Sequence, residues 1–331
     1  MRLIRGLGPS DSRAFETAGV HGAVVTIGNF DGFHRGHQAV LGRLLEAAQD
    51  RRAPSVLMTF EPLPREYFAQ RPGAAQPPGR LQRLRDRLVT LSETPLETVW
   101  ILRFDARLAE LSAQAFAEEV LHRRLGACHV LVGDDFRFGR GRTGDQALLR
   151  HEGERLGFSV ESTPTVSDGE GRISSTRVRA AVQAGDFVHA AELLGRPYRL
   201  YGRVAHGDKR GRTIGFPTAN LRLGPWPLAL RGVYSGWLRR ASGEALPAVA
   251  NIGWRPTVDG TEQRLEAHVL EGQPELYGEA VCFEPVAQVR GEQRFDGLDT
   301  LRAQIARDVE TARRQLREAP GVQPGAQTEL S

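Results

Sequence analysis

The run AVVTIGNFDGFHRGHQAVLGRLLEAA, residues 23–48, changes character twice. Residues 23–27, AVVTI, form a short apolar run of the kind found in strands buried on both faces. Residues 36–50 switch to a helical period, with Val40, Leu41, Leu44, Leu45 and Ala48 on one face. Between them GNFDGFHRGH, residues 28–37, places three glycines and two histidines in ten residues. A buried strand passing through a glycine-rich turn into an amphipathic helix is the repeating unit of a parallel α/β sheet. Ligands of such sheets collect at the carboxyl ends of the strands.

Working outward, the same alternation continues. SVLMTF (55–60), TVWILRF (98–104), CHVLVG (128–133) and FSVESTPTV (158–166) read as further strands. A Pro-rich loop follows the second strand, and a charged helix is expected over about residues 80–92. Ser112 is a good N-cap for the helical stretch SAQAFAEEVLHRRL. The rhythm changes after residue 185. FVHAAELLG (187–195) reads as a short helix closed by Gly195 and Pro197. Beyond it come short alternating segments separated by turn residues: YRLYGRVAHG, GVYSGWLRR, ALPAVANIG, LEAHVLEG and EAVCFEPVAQVR. That pattern predicts an antiparallel barrel or sandwich. A final helix, LDTLRAQIARDVETARRQLRE, precedes a Pro/Gly/Gln-rich tail expected to be disordered. The expected division is therefore residues 1–185, residues 186–317 and a tail, 318–331.

Bulk properties fit a two-domain globular chain. Its 331 residues are 40% hydrophobic and 25% charged, which leaves room for a core in each half. No run of eighteen apolar residues predicts a membrane span, and no secretory leader is recognisable. Cys128 and Cys282 lie in different halves and suggest neither a disulfide framework nor a metal spacing, which fits a cytoplasmic location. The net charge of +4 comes from dispersed arginines. It suits a solvated surface and equally an attraction for phosphorylated partners, and charge alone does not choose. An RNA-binding module would interleave clustered basic residues with aromatics, and aromatics are only 7% here.

The decade GNFDGFHRGH fits neither G-x-G-x-x-G nor the P-loop pattern. Gly28, Gly32 and Gly36 let backbone N–H groups approach a ligand closely. The helix start offers oriented donors and partial positive charge suited to phosphate. His34 and His37 stand i, i+3 across that start, so both imidazoles can serve one phosphate. A metal pair is the other chemical reading, without an evident third ligand. Incidental surface histidines are the third reading.

Gly28-Asn29-Phe30-Asp31-Gly32-Phe33-His34-Arg35-Gly36-His37 resembles the G-x-F-D-G-x-H-x-G-H signature of nucleotidyltransferases related to class I aminoacyl-tRNA synthetases. ISSTRVR (173–179) is similar to the I-S-S-T-x-x-R element of the FMN adenylyltransferase branch. VGDDFRFGRGRTGD (132–145) resembles its G-x-D-F-R-F-G element. TFEPLPREYF resembles a further segment, with Leu63 where the family usually has His. The resemblance implies a Rossmann-like nucleotidyltransferase domain in which His34, His37 and Arg179 are catalytic. It implies ATP binding by Gly28, Asn29, Phe30, Asp31, Gly32, Gly36, Ser174, Ser175 and Thr176. Asp134, Asp135 and Phe136 are then candidates for the flavin wall.

GRVAHGDKRGRTIGFPTANLRL (202–223) precedes the alternating segments. Gly207, Gly211 and Gly215 permit a loop folded over a polyphosphate, with charge from Lys209, Arg210 and Arg212. Thr218 and Asn220 alternate, so both fall on one face of a strand and offer hard oxygen atoms suited to Mg²⁺. The string resembles the riboflavin kinases and their G-F-P-T-A-N motif, here Gly215, Phe216, Pro217, Thr218 and Asn220 around Ala219. That resemblance implies a six-stranded barrel closed by the C-terminal helix, with Mg²⁺ and ATP phosphates near Thr218 and Asn220. RLEAHVLEGQPELYG (264–278) places Glu266 at the family's general base, while Asp308 and Arg313 are weaker flavin candidates. The two motif sets together resemble the prokaryotic bifunctional riboflavin kinase/FMN adenylyltransferases. The implied partners are ATP, riboflavin and FMN, with no nucleic acid and no membrane. A nucleotidyltransferase with a degenerate flavin-binding second domain is the competing reading, against which Thr218, Asn220 and Glu266 together speak.

Overall fold

The computed structural model describes residues 1–7, 19–205, 215–257 and 260–319. The chain divides into two compact units. One comprises Met1–Pro77 and Arg87–Ser174, the other Pro78–Asp86 and Ser175–Ser331.

The first unit is built on β1 (Arg2–Arg5), β2 (Val24–Ile27), β3 (Ser55–Glu61), β4 (Thr98–Arg103), β5 (His129–Gly133) and β6 (Ser159–Thr163). They form one sheet in the order β1-β4-β3-β2-β5-β6, and every neighbouring pair is parallel. Five of the six strands fall where the apolar runs place them. The sixth, β1, is an edge strand of sequence RLIR with only Ile4 buried, so it carries no apolar run to read. α1 (Arg35–Arg51) buries Leu41, Leu44, Ala47 and Ala48. The central strands contribute Val25, Ile27, Val56, Met58, Trp100, Val130 and Val132 to one core.

Other helices are α2 (Pro64–Ala69), α3 (Leu84–Ser92), α4 (Ala106–Glu110), α5 (Ala113–Ala115) and α6 (Gln146–Leu156). Ser112 caps α5 as expected, its hydroxyl accepting from the Ala115 N–H at 3.1 Å. The chain then winds more widely, as a π-helix over Phe116–Arg124, which its apolar spacing does not foretell. A short hairpin, β7 (Ser167–Asp168) and β8 (Gly171–Arg172), precedes Ile173.

In the second unit β9 (Leu200–Ala205), β10 (Ala219–Gly224), β11 (Gly232–Arg240), β12 (Ala245–Thr257), β13 (Gly260–Val269) and β14 (Ala280–Arg290) close an antiparallel barrel in the order β10-β13-β12-β11-β14-β9. Closure settles the choice between barrel and sandwich and leaves no sheet edge open. α7 (Ser175–Ala184), α8 (Phe187–Leu194) and α9 (Leu298–Glu318) accompany it. Val309, Ala312 and Leu316 of α9 pack against Val233, Val249 and Leu270. Gly195 ends α8 in the left-handed conformation (φ 70°), the terminus its position predicts.

Residues 78–83 belong to this unit, Arg80 forming an isolated parallel bridge with Leu228. The Arg80 N–H donates to the Pro227 carbonyl at 2.7 Å, and Arg80's own carbonyl accepts from Ala229 at 2.8 Å. The helix expected from residue 80 therefore starts at Leu84.

Candidate active sites

The glycine-rich turn between β2 and α1 folds back sharply. Phe30 (φ 49°) and Phe33 (φ 43°) both adopt the left-handed region, as does Gly32 (φ 88°). For non-glycine residues that conformation costs on the order of 1–3 kcal/mol each and persists only where the surroundings impose it. Here both phenyl rings are buried. The ring centroid of Phe30 lies 5.2 Å from that of His37, edge-on, and Phe33 stacks toward His37 at 6.5 Å. The buried Asp31 carboxylate accepts from Arg65 at 2.7 Å. Leu63, where the resembled family usually has His, is wholly buried at the start of α2.

The two histidines stack directly, with ring centroids 3.7 Å apart and planes 19° from parallel. Gly36 permits this, since a Cβ there would stand 3.1 Å from the His34 ring and 3.5 Å from the Ile173 carbonyl. Ile173 therefore borders the first turn of α1, although it is far away in sequence. His34 is also the N-cap of α1, and no side chain caps that end.

Burial, reinforced by Arg172, lowers the pKa of His34 from 6.5 to about 4, with Asp31 opposing. Burial likewise holds His37 well below its ordinary value, helped by His34, Arg87 and Arg172. Both rings are therefore neutral near pH 7. Each Nδ1 is shut off from solvent without a hydrogen-bond partner.

Arg172 is exposed. It pairs with Asp135 at 3.0 Å and lies 3.8 Å from Asp134, which also accepts from the Thr165 hydroxyl. Phe136 stacks on Phe138 with centroids 5.4 Å apart. Thus the loop after β5 shares Arg172 with the histidine pair. Sequence reading missed this arginine, whose only signal is its place just before ISST. It also missed an aromatic group at the ends of β3 and β4. Phe104 lies 5.8 Å from Phe60, 5.4 Å from Tyr67 and 5.7 Å from Phe68, centroid to centroid.

Ser174 ends the first unit, while Ser175, Thr176 and Arg179 fall in the second. Ser175 is the first residue of α7. Arg179 is buried, and its Nε donates to the Gly79 carbonyl at 2.7 Å.

On the barrel, β13 alternates. Gln263, Leu265 and Ala267 are buried, while Arg264, Glu266 and His268 face outward. Glu266 stands opposite Asn220 of β10 and Asn251 of β12. The Asn220 amide donates to the Thr218 carbonyl at 3.1 Å and hydroxyl at 3.3 Å. Arg255 donates twice to Oε1 of Glu266, at 3.2 and 2.9 Å. The Pro217 carbonyl can only accept, so at 2.9 Å His268 donates through Nδ1. The phenyl ring of Phe216 meets the same imidazole edge-on, centroids 5.3 Å apart. Thr218, Asn220 and Glu266 thus share one face, joined through strand pairing and side-chain contact by Asn251 and Arg255.

Gly207, Lys209, Arg210, Gly211 and Arg212 lie outside the described residues, as does the tail from residue 320. Asp308 is buried and bound by Arg290 at 3.0 Å and Gln304 at 2.8 Å. Arg313 donates to the Leu270 carbonyl at 3.1 Å. The contacts to Arg290 and to the Leu270 carbonyl fasten α9 to the barrel.

Two family models match the chain, FAD synthetase over residues 17–177 and riboflavin kinase over residues 194–316. A bifunctional riboflavin kinase/FMN adenylyltransferase of Escherichia coli is 46% identical over 313 residues, spanning 95% of this chain and 97% of the relative. Its namesake in Haemophilus influenzae is 42% identical, spanning 95% and 98%. A crystal structure described as a macrolide-efflux protein of Streptococcus pneumoniae superposes with a TM-score of 0.66 at 31% identity, spanning 88% of this chain and 94% of that one. Among the described residues no helix is long and apolar enough to cross a membrane. With a parallel-sheet unit carrying the histidine signature, a barrel carrying Thr218, Asn220 and Glu266, and relatives matched nearly end to end, the chain belongs to the bifunctional riboflavin kinase/FMN adenylyltransferase family.

Proposed function

We propose that the two activities of this family are carried here by the two clusters just described. The barrel phosphorylates riboflavin with ATP to give FMN and ADP. The parallel-sheet unit joins FMN to the AMP moiety of a second ATP, giving FAD and pyrophosphate.

In the sheet unit, an FMN phosphate oxygen attacks the α-phosphorus of ATP and pyrophosphate leaves. No covalent intermediate is required. The stacked histidine pair carries this reading. Two neutral imidazoles stand stacked at an uncapped helix start, and each can donate its one N–H to a phosphate oxygen as charge grows there. The helix start adds N–H donors for the same oxygens. Gly28, Asn29, Gly32 and Gly36 let the nucleotide approach the loop backbone. Asp134, Asp135, Phe136 and the aromatic group around Phe104 offer rings and acceptors for the flavin. Ser174, Ser175, Thr176 and Arg179 remain the proposed second phosphate element.

On the barrel, Glu266 accepts the proton of the ribityl 5′-hydroxyl as that oxygen attacks the γ-phosphorus. Arg255 holds the carboxylate by one oxygen and so fixes its direction. The hydroxyl of Thr218, the amide oxygen of Asn220 and the nearby Glu266 carboxylate form a hard-oxygen set that suits Mg²⁺. Thr218 and Asn220 would hold that ion, which when bound neutralises phosphate charge. Gly207, Lys209, Gly211, Arg212 and Gly215 are assigned to the ATP phosphates.

The test is product analysis with riboflavin, ATP and Mg²⁺, scoring flavins together with ADP and pyrophosphate. One ADP should accompany each FMN formed, and one pyrophosphate each FAD. Absence of both flavin nucleotides would overturn the reading.

A further inference from the structure

Arg87 lies outside every motif considered above. It belongs to α3, and its side chain is only 2% exposed. The guanidinium donates to the Asn29 carbonyl at 2.5 Å, to the Thr59 hydroxyl at 3.1 Å and to Glu61 at 3.1 Å. The Thr59 hydroxyl in turn donates to the same Asn29 carbonyl at 3.3 Å. Asn29 is the residue from which the chain enters its left-handed run at Phe30, Gly32 and Phe33.

A guanidinium buried this deeply is expensive unless its hydrogen bonds are made. Here it joins the C-terminal end of β3 to the first residues of the glycine-rich loop. We propose that Arg87 is a positioning residue for adenylyl transfer: it fixes the Asn29 carbonyl, and through it the loop that presents the stacked His34 and His37 to phosphate. This rests on the assignment of adenylyl transfer to the histidine pair. An arginine suits the task because its planar fork serves several acceptors at once. Its positive charge also lies close enough to His37 to disfavour protonation of that ring.

The groups facing His37 are His34 beside it, Arg172 from the β7–β8 hairpin, Arg87 from α3 and the rings of Phe30 and Phe33. Asp31 faces His34 from the loop itself. Removing Arg87 therefore takes away a cationic side chain that disfavours His37 protonation and loosens the loop that Arg87 holds through Asn29.

The experiment compares wild type, Arg87→Met, Arg87→Gln, Arg87→Lys and His37→Ala as full-length protein. FMN adenylylation and riboflavin phosphorylation are measured separately, and the His37 imidazole is titrated by NMR. Arg87→Met should lower kcat for adenylylation by roughly 10–100-fold, the scale of a small misplacement of catalytic groups. The His37 ring should titrate at a higher pH, and riboflavin phosphorylation should be unchanged. Arg87→Lys keeps the charge and a donor and should recover most of the rate. Should Arg87→Met fail to fold, Arg87→Gln takes its place, since it keeps an amide donor and must still raise the His37 titration. A folded Met or Gln variant with wild-type kcat and an unmoved titration, while His37→Ala is inactive, overturns the role of Arg87 alone. An active His37→Ala overturns the underlying site assignment.

Discussion

In the sheet unit the candidate groups, His34 and His37, stand where a loop enters α1 and are kept neutral. On the barrel the candidate groups stand on strands, and the central carboxylate is kept paired. His34 and His37 depend on two buried phenylalanines in left-handed backbone, a glycine that leaves room for the ring stack and an arginine beneath Asn29. Glu266, Asn220 and Asn251 need only the register of three strands, because alternation already puts them on one face. The first site should therefore be sensitive to small changes of shape and pH. The second should respond mainly to loss of the named side chain.

The largest expected effect comes from removing an imidazole. His37→Ala should cut FAD formation from FMN by about 10²–10³-fold, the usual loss for a preorganised donor to a developing oxyanion. FMN formation from riboflavin should continue, as separate assays of each step would show. Glu266→Gln should do the reverse, lowering phosphorylation by roughly 10²-fold or more. Equal loss of both activities in either variant would erase the contrast between the sites.

Smaller changes sharpen it. Gly36→Ala places a methyl 3.1 Å from the His34 ring and should slow adenylylation about tenfold by spoiling the stack. Lengthening a side chain on the barrel by one methylene, as in Asn251→Gln, is expected to cost less. Rates of both steps, measured side by side, decide this.

The pH response follows from the lowered imidazoles. The unfolded chain protonates His34 near 6.5, the fold only near 4. Between those values the unfolded state binds more protons, so stability is complete above pH 6.5 and falls as pH drops toward 4. His34 alone contributes on the order of 3 kcal/mol to that fall. Melting curves from pH 7.5 to 4.5 should show a steeper loss for wild type than for His34→Gln. Identical slopes would contradict buried neutral rings. The smallest effect is structural: Ser112→Ala should cost about 1 kcal/mol in denaturant unfolding by removing the α5 cap.

Much of this was readable from the residues. The apolar runs locate β2 to β6 because buried parallel strands carry no polar face. β1 escapes because an edge strand of four residues with two arginines has no such run. The histidine pair is legible as i, i+3 spacing, and Thr218, Asn220 and Glu266 as strand alternation and motif. Arg87, Arg172, Asn251 and Arg255 are not, since each acts through a partner distant in sequence. Phe30 is instructive in another way. Sequence reading assigns it to ATP, and the structure adds that its ring is buried and edge-on to His37.

The most direct test of the two-site account is a mixing experiment with riboflavin, ATP and Mg²⁺. His37→Ala alone should accumulate FMN, and Glu266→Gln alone should leave riboflavin almost unconverted. Mixed together, the two variants should make FAD, because FMN released by one is adenylylated by the other. A mixture that makes no FAD, or a Glu266→Gln protein that makes it unaided at the wild-type rate, would contradict the account.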